Sequence, residues 1–415
     1  MTTSSGTPSL SLALSSSSSA TPLEPQKPEE RGLRLIQLLL TCANHTSSGN
    51  LHRADACLRQ ISKLASISGD SMQRLAAYFA SALAIRLVKR WPGLYKALNK
   101  TQKPSSELDR ARPLFVQAFP YLSLAYAIMG RTLLQCMMEE RVIHIVDLGF
   151  GDSKLWVPLL RSFANSLDGP PHLRITCVHE NKSVLEKLGR GLVKEAERLR
   201  IPFHFSPVNV GLRELTLDQV QVRSGEAMAL ISFNLHVLLT EDDRVDAQFG
   251  PKKNNNGIKD CKKLNEFLSM VRSMSPKILF LVGKEADHNL GRLVDRFIES
   301  LHYYSAVFDS IEVTFGGKAS EDRFVVEEMF GREIENIVAC EGLERLERHE
   351  RYGRWAVRFG RAGFRPVGLW YGYMDDAKKM LEACGKEGYK ITSERQSLMI
   401  CWHDRPLYSV SAWIC

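Results

Sequence analysis

Asp147, Gly149, Gly151 and, further along, Glu180 are the positions whose types and spacing could hold a nucleotide cofactor. They follow Val142 to Val146, a run of β-formers interrupted only by His144, and they precede Leu155-Trp156-Val157-Pro158-Leu159-Leu160. That order reads as a buried parallel strand, a tight turn and a helix start. In doubly wound α/β folds such a turn lies at the carboxyl edge of the sheet. Its glycines let the backbone approach a ligand, and an acid after the second strand holds ribose hydroxyls. The acid usually comes about 20 residues after the glycines. Glu180 comes 29 after Gly151, so the fit is loose. The alternative is a strand-to-helix turn that needs glycine for its geometry alone, and the loose spacing favours it.

Other chemistry is thinner. The chain has no complete nucleophile elbow, no phosphate loop with Gly-Lys-Ser/Thr and no His-Glu-x-x-His helix. His144 lies inside an apolar run and reads as a hydrogen-bonded core histidine, with burial favouring its neutral form. Nine cysteines are scattered without a Cys-x-x-Cys pair, which points to free thiols in a reducing compartment. Two Cys-x-His pairs, Cys177/His179 and Cys401/His403, end likely strand runs, but neither offers four ligands, so no metal site is expected.

Arginines recur at 345, 348, 351, 354, 358, 361 and 365, mostly three or four apart, which predicts a basic helix face. Glu344, Glu347 and Glu350 interleave in its first half. The second half, with Arg354, Arg358, Arg361 and Arg365, has no acids and reads either as solvated or internally paired charge, the favoured reading, or as a contact for phosphate or an acidic partner. No helix-turn-helix, basic-zipper or finger signature accompanies it. Two pentapeptides, Leu35 to Leu39 and Leu235 to Leu239, fit Leu-x-x-Leu-Leu, which on a helix sets three leucines on one face suited to a partner's groove.

These candidates need elements to position them. Residues 31–140 read as a helical subdomain: Leu33, Ile36, Leu40 and Ala43 share a stripe, Asn50 caps the next helix, and Asp70 with Gln73 forms a capping-box signal. From 141 onward strands and helices alternate, with strands expected at 142–147, 173–179, 203–208, 227–233 and 277–282. Leu185, Leu188, Leu192 and Leu199 stripe one of the intervening helices. The alternation implies a mainly parallel sheet, hence a Rossmann-like α/β core under a helical cap. Leu398 to His403 and Tyr408 to Trp413 flank Asp404-Arg405-Pro406 and predict an antiparallel hairpin closing one sheet edge.

Composition sets outer bounds. A hydrophobic share of 44% with 25% charged residues suits a globular protein with a sizeable core. No run reaches the roughly 18 apolar residues of a membrane span. Residues 1–30 are rich in Ser, Thr and Pro and read as a disordered tail, without the basic residues of a transit peptide before Lys27. The tail carries −2 of the net +8, which leaves a mildly basic body that permits an acidic partner without requiring one. Residues 241–263, with five lysines and a run of asparagines, read as an exposed loop.

Together the motifs resemble the GRAS family of plant transcriptional regulators over residues 31–415. Ile143, His144, Ile145, Val146 and Asp147 stand where that family has Val-His-Ile-Ile-Asp. Leucine-rich stretches flank this block at 31–98 and 182–240. Pro276, the Tyr303-Tyr304 pair, Arg332 and Glu333 resemble the next block, and Arg348-His349-Glu350-Arg351 resembles its Arg-Val-Glu-Arg element. Trp355 to Gly363, Trp402, and the terminal Ser411, Ala412 and Trp413 resemble the closing block. In the family's scheme these become leucine-rich region I (31–98), the Val-His-Ile-Ile-Asp region (112–177), leucine-rich region II (182–240), a variable loop (241–263), and two closing regions (274–340 and 341–415).

The resemblance implies a helical cap on a methyltransferase-like Rossmann core, no cofactor, and a nuclear regulator working through protein contacts. Its expected partners are other GRAS proteins and zinc-finger transcription factors that supply the DNA contact. The branch it most resembles is linked to gibberellin response and root growth. Leu35, Leu38, Leu39, Leu185, Leu192, Leu199, Leu235, Leu238 and Leu239 become the partner-binding candidates. Two departures stand out. The turn with Gly149 and Gly151 is more glycine-rich than the family's, and the tail lacks the acidic motif of the gibberellin-repressing DELLA branch. The alternatives are an S-adenosylmethionine-dependent methyltransferase, which the glycine turn and terminal hairpin resemble, and direct sequence-specific DNA binding by the arginine segment.

Overall fold

The computed structural model describes residues 27–99, 108–149, 152–166, 168–241, 258–316, 320–369, 372–385 and 387–415. The tail reading for residues 1–26 and most of the 241–263 loop lie outside them. The tail's predicted boundary moves, because the first helix already starts at Pro28 with proline at its first position and Glu29 and Glu30 facing its amino end.

The helices α1 (Pro28–Ser47), α2 (Leu51–Leu64), α3 (Ser71–Val88), α4 (Pro92–Asn99), α5 (Leu108–Ala118) and α6 (Pro120–Cys136) come first. The predicted caps are present. The Asn50 side chain accepts from Arg53 N, and Asp70 and Gln73 form a reciprocal capping box. Then follow β1 (Val142–Leu148), α7 (Ser153–Ala164), β2 (His172–Val178), α8 (Lys182–Arg198), β3 (Phe203–Val208), the short α9 (Leu217–Val220), β4 (Ala227–Ser232), a 3-10 turn (Leu235–Leu239), α10 (Lys262–Ser273) and β5 (Ile278–Lys284). The chain closes with α11 (Leu293–Phe315), α12 (Glu321–Ala339), α13 (Tyr352–Arg361), β6 (Arg365–Val367), α14 (Tyr373–Cys384), β7 (Tyr389–Glu394), β8 (Ser397–Trp402) and β9 (Arg405–Ile414).

The sheet order is β3-β2-β1-β4-β5-β9-β8-β7, with β6 beside β9. β1 to β5 run parallel, and β9, β8 and β7 add antiparallel strands. This is the expected Rossmann-like α/β core, with its strand order reversing between β1 and β4. The terminal hairpin does not close the edge, however. β9 inserts directly against β5, pairing Leu279 to Lys284 with Trp413 to Tyr408, and β7 forms the outer strand. Ile391 is the one buried residue of β7 and its last three residues are exposed, so its apolar signal is too weak to stand out in the sequence.

Alternation sorts the strands onto two faces. Ile143, Ile145, Ile175, Ile231 and Phe280 join α6, α7, α8 and the cap in one continuous core. Val146, Leu148, Leu230, Leu281 and Trp413 face α10, α13 and the 3-10 turn. The cap corrects the reading of 31–140 as a subdomain packed on itself. Helices α11 and α12 return after β5 to pack on α3. The buried guanidinium of Arg74 bonds Glu327 of α12 at 2.8 Å and Glu312 of α11 at 2.7 Å. Ion pairs with carboxylates more than 230 residues away could not be read from local periodicity. Among the described residues no single helix is long and apolar enough to cross a membrane.

Candidate functional site at the carboxyl edge of the sheet

The parallel strands end together where the sheet order reverses, and the sequence-predicted turn lies there. Asp147 is fully buried, and its Oδ2 accepts from the Trp156 indole Nε1 at 3.2 Å, tying the end of β1 to α7. Gly149 has φ +98°, a conformation side-chain-bearing residues rarely adopt. A Cβ placed there would lie 2.6 Å from Asn234 Nδ2. The crevice beside Gly149 is thus filled by an asparagine from the loop after β4. Gly151 lies outside the described residues. Asp152 caps α7 by accepting from Lys154 N at 2.9 Å, which uses the helix start for its own chain. Glu180 is exposed, and a Cβ on Gly211 would come within 2.7 Å of its Oε1, so the carboxylate rests over the loop after β3.

At the end of β5 the edge is packed with polar side chains. Tyr304 donates to Glu333 at 2.8 Å, and Lys284 pairs with the same carboxylate. The buried Glu285 accepts from Tyr352 N at 3.0 and 3.2 Å, and burial lifts its carboxyl to about pH 7. His236 from the 3-10 turn stacks against His349 with ring centroids 4.1 Å apart, and Glu347 lies against both. A void of about 10 Å³, bounded by Phe233, Leu281, Lys284, His236, His349 and Trp355, remains beside them. It has room for about one water-sized occupant. No nucleotide fits such a space.

The family-motif residues are spread through the sheet and its flanking helices rather than gathered at this edge. His144 is buried, with Nε2 2.8 Å from Thr176 Oγ1 and Nδ1 2.9 Å from the Arg174 guanidinium. Burial first and Arg174 second hold its pKa at about 4, so it is neutral at pH 7. Pro276 is buried just before β5, and Glu333 is half-buried in the pairs already described. Arg332 is exposed, 3.5 Å from Glu328. Trp355 is buried, and Gly363 follows α13 at φ +87°. Trp402 donates to Asp309 at 2.7 Å. Ser411 accepts from the Trp413 indole at 3.0 Å, Ala412 is buried, and Trp413 stacks on Phe359 at 4.6 Å.

Two predicted interaction surfaces are corrected. Leu35, Leu38, Leu39, Leu185, Leu192, Leu235, Leu238 and Leu239 are buried in the two cores, and Leu199 is half-buried against one of them. They form no docking face, because the same apolar stripe that suits a partner's groove is needed by the fold. Leu235 to Leu239 are, moreover, a 3-10 turn rather than an α-helix. The arginines do not share a helix face either. Residues 345–351 have no regular secondary structure, and only Tyr352–Arg361 is helical. Arg345 and Arg348 are buried and donate to backbone carbonyls of His288 and Gly342. Arg354 pairs with Asp287 at 3.0 Å, and Arg358 is buried against Glu350. Arg361 and Arg365 remain exposed. Among the described residues neither Cys-x-His pair joins a larger ligand group, whereas His236, Glu347 and His349 do. Sequence reading missed that trio, because it joins segments 111 residues apart, and its only local signal is Glu-x-His in a segment without regular secondary structure.

Comparison with known proteins settles the family. The GRAS domain family matches residues 35–414. The chain belongs to the GRAS domain family. It is 43% identical to Scarecrow-like protein 3 of Arabidopsis thaliana, covering 97% of this chain and 93% of that protein. It is 32% identical to Scarecrow-like transcription factor PAT1 of the same plant, covering 90% of this chain and 75% of that one. Among solved structures it is similar to SCL7 of Oryza sativa, with a TM-score of 0.77, 28% identity and coverage of 91% and 99%. Of these relatives PAT1 is named a transcription factor, and the SCL7 likeness bears out the Rossmann-like α/β core.

Proposed function

We propose that this GRAS protein is a non-enzymatic transcriptional coregulator that acts in the nucleus of a plant cell through contacts with other proteins. The observation that carries the reading is the GRAS match across residues 35–414, shared with a relative named as a transcription factor. The carboxyl edge of the sheet supports it. Asn234 occupies the space beside Gly149, and polar side chains close the end of β5 down to a void of about 10 Å³.

The partners proposed are other GRAS proteins and zinc-finger transcription factors, which would bring the DNA contact. The gibberellin and root-growth role follows from the family branch this chain resembles. Because the leucine stripes are spent in the core, contacts fall to other surfaces. The apolar groups left in solvent include Trp91 and Leu94 at α4, and Leu343 and Leu346 before α13. Family regions I and II are thereby read as core-forming segments.

A gel-retardation series with purified components tests the proposal. The chain alone should leave duplex DNA unshifted at physiological salt and should retard further the complex of a plant zinc-finger factor with its site. Sequence-specific retardation by the chain alone, or a calorimetric binding signal with S-adenosylmethionine, overturns it.

A further inference from the structure

The trio at the edge of the sheet has the geometry of a ligand set. His236 Nε2 lies 3.4 Å from Glu347 Oε2, and His349 Nε2 lies 3.2 Å from the same atom. All three ligand atoms fall within 4.8 Å of one another. The 3.2 Å spacing lies at the long end of ordinary N–H···O bonds, about 2.7–3.2 Å, and the 3.4 Å spacing just beyond it. Both spacings also match the edges of a coordination tetrahedron. With metal–ligand distances of about 2.1 Å, neighbouring ligand atoms of a zinc site lie about 3.4 Å apart.

We propose that His236 Nε2, His349 Nε2 and Glu347 Oε2 bind one divalent transition-metal ion of the zinc class, with a fourth position open to water. Two imidazoles and one carboxylate are a donor set such ions prefer. The two histidine rings lie side by side, tilted by 33°, so that both nitrogens converge on Glu347. The side chain of Glu347 is 25% exposed, and the adjoining void has room for about one water.

A second layer is in place. His349 Nδ1 lies 3.1 Å from Nδ1 of the fully buried His288. Ligation through Nε2 places the His349 proton on Nδ1, where it donates to His288 and fixes the ring. Lys284 borders the same void, but Glu333 neutralises it, so the nearby cation does not oppose the ion unpaired. Glu350, next in the chain, is held by Arg358 and anchors the strap that carries Glu347 and His349. The bound ion would therefore clip residues 345–351 to the turn after β4. No catalytic step is assigned to it.

Cobalt(II) titration of the full-length, chelator-treated protein tests the site. Four-coordinate visible bands should rise to saturation at one equivalent and vanish on adding zinc(II), which should also raise the melting temperature. His236→Gln and Glu347→Gln should each lose both effects while keeping the native far-UV circular dichroism. The wild-type titration decides by itself if either variant fails to fold. Absence of visible bands, thiolate-to-cobalt charge-transfer bands from the free cysteines, or undiminished binding in Glu347→Gln overturns the proposal.

Discussion

Glu350→Gln should destabilise the protein by about 3 kcal/mol, and the reason lies in how Glu350 is held. Its carboxylate accepts from Arg358 Nε at 2.7 Å and from the second guanidinium nitrogen at 2.8 Å, and it takes a further bond from Asn289 at 2.8 Å. The two charged side chains are 1% and 4% exposed. Removing one partner of such a buried pair typically costs about 3–5 kcal/mol, because the other charge is left without compensation in a low dielectric. Glutamine keeps one acceptor oxygen, which places the expectation at the lower end. Arg358→Met strands the carboxylate instead and should cost a similar amount. The double variant Glu350→Gln/Arg358→Met strands neither charge, so its loss should fall short of the sum of the singles by about 2 kcal/mol. Urea midpoints at constant m-value, measured on all four proteins, read this directly. If Glu350→Gln costs under about 1 kcal/mol, or if the single effects add, the pair is not the structural tie described here. Arg358 would then return to the pool of cations free to meet phosphate.

Two further outcomes follow from the same packing. His144 has a pKa of about 4 in the fold against 6.5 for an ordinary histidine. The unfolded chain therefore binds more protons between those values, and stability is lost as pH falls through that window. The loss from this residue should be about 2 kcal/mol by pH 5 and about 3 kcal/mol in full, and His144→Gln should flatten a urea-midpoint pH series by that amount; an unchanged slope refutes the assignment. Leu39→Ala removes a fully buried side chain and should cost about 2–5 kcal/mol in denaturant titration, while the affinity of the still-folded protein for partners stays level. A selective loss of partner binding with stability intact would restore the leucine face as a docking surface.

Local physics made much of this protein legible from residue order. The apolar run from Val142, the turn with Gly149 and the alternation after 141 determined a parallel Rossmann-like core, since strand and helix periods depend on near neighbours. Asn50, Asp70 and Gln73 placed helix starts because a cap acts within three residues. The order of the motif blocks identified the family. What tertiary structure alone decided is where each apolar or charged stripe is spent. A leucine row looks the same whether it faces the core or a partner, and only α11, α12 and the second sheet face show that Leu35, Leu39 and Leu235 are enclosed. An arginine repeat at helical spacing looks like a basic face until Glu350 and the backbone carbonyls around Arg345 and Arg348 claim its members. The glycine turn was visible, but its filling by Asn234, 85 residues away, was not. The meeting of His236 with Glu347 and His349 was hidden for the same reason: it joins two segments that only the sheet order brings to one edge.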